Sequence, residues 1–209
     1  ESNRDALRDA GALTRMASLL LHEEEAVQQC AVQAVANLGV DAADAPTFLA
    51  SGWHLSLISL LSAAADDVQA AAAAVLGNLS SAAEFRMAIV ADGALQPILQ
   101  LLHAPALPTS TAAVRALAIM SQQLMSADVP LEDPAATDFV TALFDAAALP
   151  QLLSVLEAGP QVDPASGAVA ERRLVAALLL LQNLSGGHGQ VRQRLVQGGA
   201  IPALIGFLT

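Results

Sequence analysis

A word of roughly ten residues, opened by a glycine in four of its five copies and closed by a pair of apolar side chains, occurs along this chain, and a helix repeat of that kind fixes most of the architecture. Gly11-Ala12-Leu13 returns as Gly52-Trp53-His54, Gly93-Ala94-Leu95, Ala147-Ala148-Leu149 and Gly199-Ala200-Ile201. Nine residues after each opening stands a leucine: Leu20, Leu61, Leu102, Leu156 and Leu208. The residue before it is always apolar: Leu19, Leu60, Leu101, Val155 and Phe207. Five residues in stands Met16, Leu57, Ile98, Leu152 or Leu204. This i, i+3, i+4 spacing is one buried face of a short helix. Pro150 and Pro202 fall in its first turn, where a missing N–H costs nothing.

A second, longer helix follows each of the first four words. The pattern predicts it over Val27 to Leu38, Val68 to Leu79, Ala112 to Met125 and Val169 to Leu184. Asn37-Leu38, Asn78-Leu79 and Asn183-Leu184 close three of these four. A third, short helix leads into the next glycine word, clearest over Ala83 to Ala91, Phe139 to Ala146 and Gln190 to Gln197, and weaker over Asp44 to Ala50. A glycine between the short helix and the next permits a tight, near-perpendicular turn. The words open 41, 41, 54 and 52 residues apart. The longer two intervals carry Pro- and Asp-rich inserts at Ala104 to Ser110, Ser126 to Ala136 and Ala158 to Gly167. Inserts at junctions leave a stacked core undisturbed.

Composition agrees with close-packed helices. Apolar residues make up 55% of the chain and charged residues 14%. That is too apolar for disorder, and too poor in aromatic and β-branched residues for a sheet. The densest apolar run, Leu174 to Leu181, is far short of the ~20 residues that span a bilayer. A lone cysteine, Cys30, forms no internal disulfide and fits a reducing compartment. The net charge is −11 and every basic residue is an arginine, a balance opposed to nucleic-acid binding. Acids cluster at inter-helix junctions (Asp41 and Asp44, Asp66 and Asp67, Asp128 to Asp133), where they are expected to cap helix N-termini.

At these words the sequence resembles the armadillo-repeat family. Val196-Gln197-Gly198-Gly199-Ala200-Ile201-Pro202-Ala203-Leu204 carries the resemblance best, and Val90 to Ile98 nearly as well. Val27-Gln28 through Ala31 to Asn37-Leu38 matches the family's long third helix. The resemblance implies an all-α, right-handed superhelical solenoid of armadillo repeats; a HEAT-like α-α superhelix is the alternative. We expect a single array over 1–209, about four repeats plus a partial one, forming a segment of a longer chain. One reason is that Ile201 to Leu208 would otherwise present an uncovered apolar face. The resemblance further implies that the long helices line a concave groove in which asparagines clamp the backbone of an extended peptide.

Carried over, that ladder is Asn37, Asn78 and Asn183, with Gln123 the stand-in suggested by the end of the third long helix. The importin-alpha branch places a tryptophan four residues before each asparagine. Here those positions hold Gln33, Ala74 and Leu179, which argues against gripping basic nuclear-import signals. Leu179 offers an apolar groove contact instead. The asparagines have a plainer reading as C-terminal caps. Trp53 stands where other copies have alanine; it is either an interface anchor or a filler between repeats, with packing favoured. Cys30 aligns with Ala71 and Ala176 and is expected in the core. Arg172-Arg173 opens the last long helix, with a solvated face the default reading.

No histidine pair has metal spacing, and no nucleophile–base or paired-carboxylate constellation stands out. The glycines at 186, 187 and 189 follow a helix and meet no lysine, against a phosphate loop. The expectation is therefore a non-catalytic, cytoplasmic protein-binding scaffold with no cofactor. It would take an extended peptide or an assembly subunit, and neither nucleic acid, small-molecule substrate nor membrane insertion. A structural subunit of a large cytoskeletal or ciliary assembly is one alternative, and a nuclear transport adaptor another.

Overall fold

The computed structural model describes residues 6–7, 9–124, 139–141, 143–144, 148–158, 167–186 and 189–208. All regular structure among them is helical. In chain order the α-helices are α1 (Ala12–Ser18), α2 (Glu25–Leu38), α3 (Ala45–Ala50), α4 (Trp53–Leu60), α5 (Asp66–Leu79) and α6 (Ala83–Ala91). Then come α7 (Leu95–Gln100), α8 (Leu107–Leu124), α9 (Ala148–Ala158), α10 (Gly167–Gly186), α11 (Gly189–Gln197) and α12 (Ala200–Leu208). Short 3-10 turns extend α1 over Leu19–Leu21 and α7 over Leu101–His103.

The glycine word does what its chemistry requires. Gly11, Gly52, Gly93 and Gly199 have φ of 75°, 71°, 82° and 89°. A Cβ at these four sites would meet nothing within 4 Å. Glycine is needed there for the left-handed backbone that swings the chain from one helix into the next, and space is not the issue. Behind each turn the leucine face is buried: Leu57, Ile98 and Leu152 are fully enclosed, as are Leu20, Leu61 and Leu156. Each short helix adds its own anchor, Phe48 from α3, Phe85 from α6 and Phe139 from the described helical residues before α9.

The long helices α2, α5, α8 and α10 pack side by side in that order and form one layer. Their facing stripes are small: Ala72, Ala73 and Gly77 on α5, Ala113 and Ala116 on α8, Ala176 and Ala177 on α10. A close approach occurs at Gly77, where an added Cβ would lie 2.8 Å from the Cα of Ala116. Short helices turned through glycine, followed by a long helix stacked on its predecessor, make this an armadillo-type unit and not a two-helix HEAT hairpin.

Several local expectations are corrected. The helix predicted from Ala112 starts at Leu107, because Pro108 falls in its first turn and breaks no bond there. Asp41 does cap, accepting from the Ala43 N–H at 2.8 Å while the Asp44 carboxylate accepts from the Asp41 N–H at 3.0 Å. Asp66 and Asp67 lie inside the first turn of α5 behind an Ala65 N-cap, so they meet the helix dipole without capping it. Asp128 to Asp133 and the second insert lie outside the described residues.

Cys30 is exposed, although its counterpart Ala176 is buried. Ala176 looks toward α8, and among the described residues α2 has no long helix on that side. At the other end, Ile201 and Ile205 are 48% and 57% exposed, while their counterparts Leu95 and Leu99 are 5% and 2% exposed. Ile201 and Leu204, together with Leu178, Leu181 and Leu195, border an apolar recess of about 380 Å³.

Candidate functional site

The outward stripe of the long-helix layer is the surface that packing leaves open. On α2 it carries Ala26, Cys30 and Asn37, all exposed. On α5 it carries exposed Asp67 and half-buried Ala71, Ala74 and Asn78. On α8 it carries exposed Arg115 and Gln122, and on α10 exposed Arg172, Val175, Leu179 and Gln182. Spacings of three, four or seven residues keep each set on one face of its helix.

The expected site residues divide according to what they already touch. Asn37 and Asn78 stand on the open stripe, one exposed and one half-buried. Asn183 is engaged: its Nδ2 donates to the Ala118 carbonyl and to the Ser121 hydroxyl of α8, each at 3.0 Å. Both its amide protons are thereby used to tie α10 to its neighbour. Gln33 is engaged in the same way, its Nε2 donating to the Asp67 carboxylate across α2 and α5. Ala74 adds only a methyl group. Gln123 sits in the last turn of α8, with its side chain outside the described residues.

Leu179 is 48% exposed, and Val175, one turn earlier, is 50% exposed. Trp53 is in the core at 5% exposure, its ring edge-on to Phe48 with centroids 5.2 Å apart. The packing reading of this residue is the one its surroundings match. Next to it, the His54 ring lies between the Phe48 carbonyl at 3.4 Å and the Asp92 carboxylate at 3.1 Å. That contact joins the corner of one repeat to the end of the following short helix.

The repeat pattern does not mark Arg115 and Val175. Both line a recess of about 320 Å³ between α8 and α10, together with Glu171, Arg172, Ala176 and Leu179. Val175 was detectable in principle. An apolar run as long as Leu174 to Leu181 covers every face of a helix, so some of its members must face outward. The two adjacent arginines part company: Arg172 is exposed in this recess, while Arg173 turns toward α9 beside Ser154 and Leu152. Burial there lowers the pKa of the Arg173 guanidinium from its usual value.

Among the described residues no cluster of three metal-ligating side chains occurs, and no helix is long and apolar enough to cross a membrane. Helix layer, glycine turns and open stripe together define an armadillo-type α-solenoid, a class of scaffold that in general holds peptides on its surface.

Comparison with known proteins agrees at the level of fold. No protein-family model matches the chain, and no curated protein matches it. Among solved structures it is similar to a designed armadillo repeat protein in complex with the peptide (KR)4, at 25% identity and a TM-score of 0.73, over 96% of this chain and 76% of that one. It is also similar to computationally designed armadillo repeat proteins for modular peptide recognition, at 26% identity and a TM-score of 0.71, over 96% and 76%. An armadillo-repeats-only protein from Plasmodium falciparum shares the fold at 14% identity and a TM-score of 0.65, over 93% of this chain and 86% of that one.

Proposed function

We propose that this chain is a non-catalytic protein-binding scaffold that takes an extended segment of a partner along the stripe of its long helices. The observation that carries the reading is the pair Asn37 and Asn78, presented on that stripe at equivalent points of successive long helices. Carboxamides so placed can donate to and accept from a peptide backbone, which lends affinity without a strict sequence demand. Exposed Val175 and Leu179 then supply apolar contact at the far end. We place the protein in the cytoplasm, with no cofactor, no nucleic-acid partner and no small-molecule substrate.

One observation favours a second reading, a fixed subunit of a large cytoskeletal or ciliary assembly. Asn183, which a peptide-clamping ladder needs free, is spent on α8, and Gln33, at one of the tryptophan positions, is spent on Asp67 of α5. A nuclear transport adaptor fits less well, since Gln33, Ala74 and Leu179 offer no aromatic slot for a basic side chain. Substituting Asn37 and Asn78 by alanine separates the first two readings. Partners would be captured by pull-down and their contacts mapped by cross-linking mass spectrometry. The groove reading expects cross-links on the stripe and at least a ~10-fold loss of partner in the double variant, as two lost hydrogen bonds of ordinary strength imply. Undiminished capture with cross-links elsewhere would transfer the function to other faces.

A further inference from the structure

We propose that the recess between α8 and α10 selects a segment pairing an apolar side chain with an acidic one; this deepens the groove reading and rests on it. The recess has an apolar floor, Val175, Ala176 and Leu179, whose two larger members are about half exposed. Its rim carries Arg115 from α8 and Arg172 from α10 against the single acid Glu171. Neither arginine forms an ion pair or side-chain hydrogen bond among the described residues. Two guanidiniums held on adjacent helices above an apolar floor are matched by a carboxylate beside a leucine-like side chain.

This local sign runs against the rest of the molecule. The chain carries a net charge of −11, and the same stripe carries Asp67 on α5. Long-range electrostatics alone would therefore draw cationic peptides. Preference for an anionic one must come from the recess itself, which makes the two contributions separable. The stripe is also polarised, with Asp67 on α5 and Arg115 and Arg172 on α8 and α10, so a bound segment has one favoured direction, its acidic end over α10.

The test uses three fluorescent probe peptides, four tandem Glu-Leu, Lys-Leu or Ser-Leu units, titrated with the whole chain by anisotropy at low and at moderate salt. The Glu-Leu peptide should bind tightest, exceeding Ser-Leu by roughly four- to twentyfold, since an exposed charge pair contributes a factor of about two to five. Arg115→Gln with Arg172→Gln should erase that preference while leaving Ser-Leu binding in place. Glu171→Gln should enlarge it, a gain that misfolding cannot mimic. Tightest binding of Lys-Leu, a preference unchanged in the double arginine variant, or no binding of any probe would each overturn the proposal. If the probes bind alike and weaken when Asn37 and Asn78 are replaced, the acidic preference fails while the groove stands. If probe binding ignores those asparagines, the groove reading itself fails.

Discussion

Replacing Gly77 by alanine should destabilise this protein, although the same change inside most helices is favourable. Glycine in a helix interior costs about 1 kcal/mol relative to alanine, so propensity alone argues for a gain of that size. The structure opposes it. A Cβ at position 77 would sit 2.8 Å from the Cα and 3.0 Å from the Cβ of Ala116. Those atoms belong to the frame of another buried helix and cannot swing aside as the tip of a flexible side chain could. Relief requires α5 and α8 to move apart, and overpacking of this kind costs about 1–3 kcal/mol. The difference leaves a net loss centred near 1 kcal/mol.

Gly186 provides the control, because a Cβ there meets nothing within 4 Å. Gly186→Ala should be neutral or stabilising by up to ~1 kcal/mol. Urea unfolding followed by helical circular dichroism distinguishes the two. With a slope of about 1–3 kcal/mol per molar urea, Gly77→Ala should lower the midpoint by roughly 0.3–1 M. Repeat arrays lose stability locally, so amide exchange should quicken in α5 and α8 and stay unchanged in α12. An equal rise in midpoint for both variants would refute the close-approach argument.

Two further perturbations test other parts of the packing. Trp53→Ala should cost about 3–5 kcal/mol by the same unfolding assay, as expected for a large buried aromatic; near-wild-type stability with lost partner binding would return Trp53 to the surface. Asn183→Ala should cost about 1–2 kcal/mol and loosen α10 from α8, seen as faster exchange of both helices, whereas a side chain reserved for a ligand would leave stability unchanged.

Much of this architecture could be read from the chain because its determinants are local. A residue with positive φ at the heads of α1, α4, α7 and α12 almost demands glycine, so Gly11, Gly52, Gly93 and Gly199 announce those turns. The leucine faces were equally legible, since burial repeats with the helical period. What sequence could not supply were partners distant along the chain. Asn183 meets residues 65 and 62 positions earlier, and Gln33 meets one 34 positions later. Without those distances, a side chain that ties two repeats together looks the same as one awaiting a ligand. Cys30 is exposed for a related reason: alignment with Ala176 gives its register, but not that among the described residues no long helix covers its outer side. Leu107 to Ser110 falls in the Pro-rich stretch that reads as an insert over Ala104 to Ser110, yet it is helical, because Pro108 sits within the first turn.

The small stripes between α5, α8 and α10 have a metrical consequence. Helix axes lie about 8–10 Å apart, the lower end requiring alanine or glycine at the crossing, while an extended chain advances about 3.3 Å per residue. Neighbouring rods therefore tick off a threaded strand at every second or third residue. On the groove reading, the close approach at Gly77 sets the interval at which a bound strand would pass from α5 to α8.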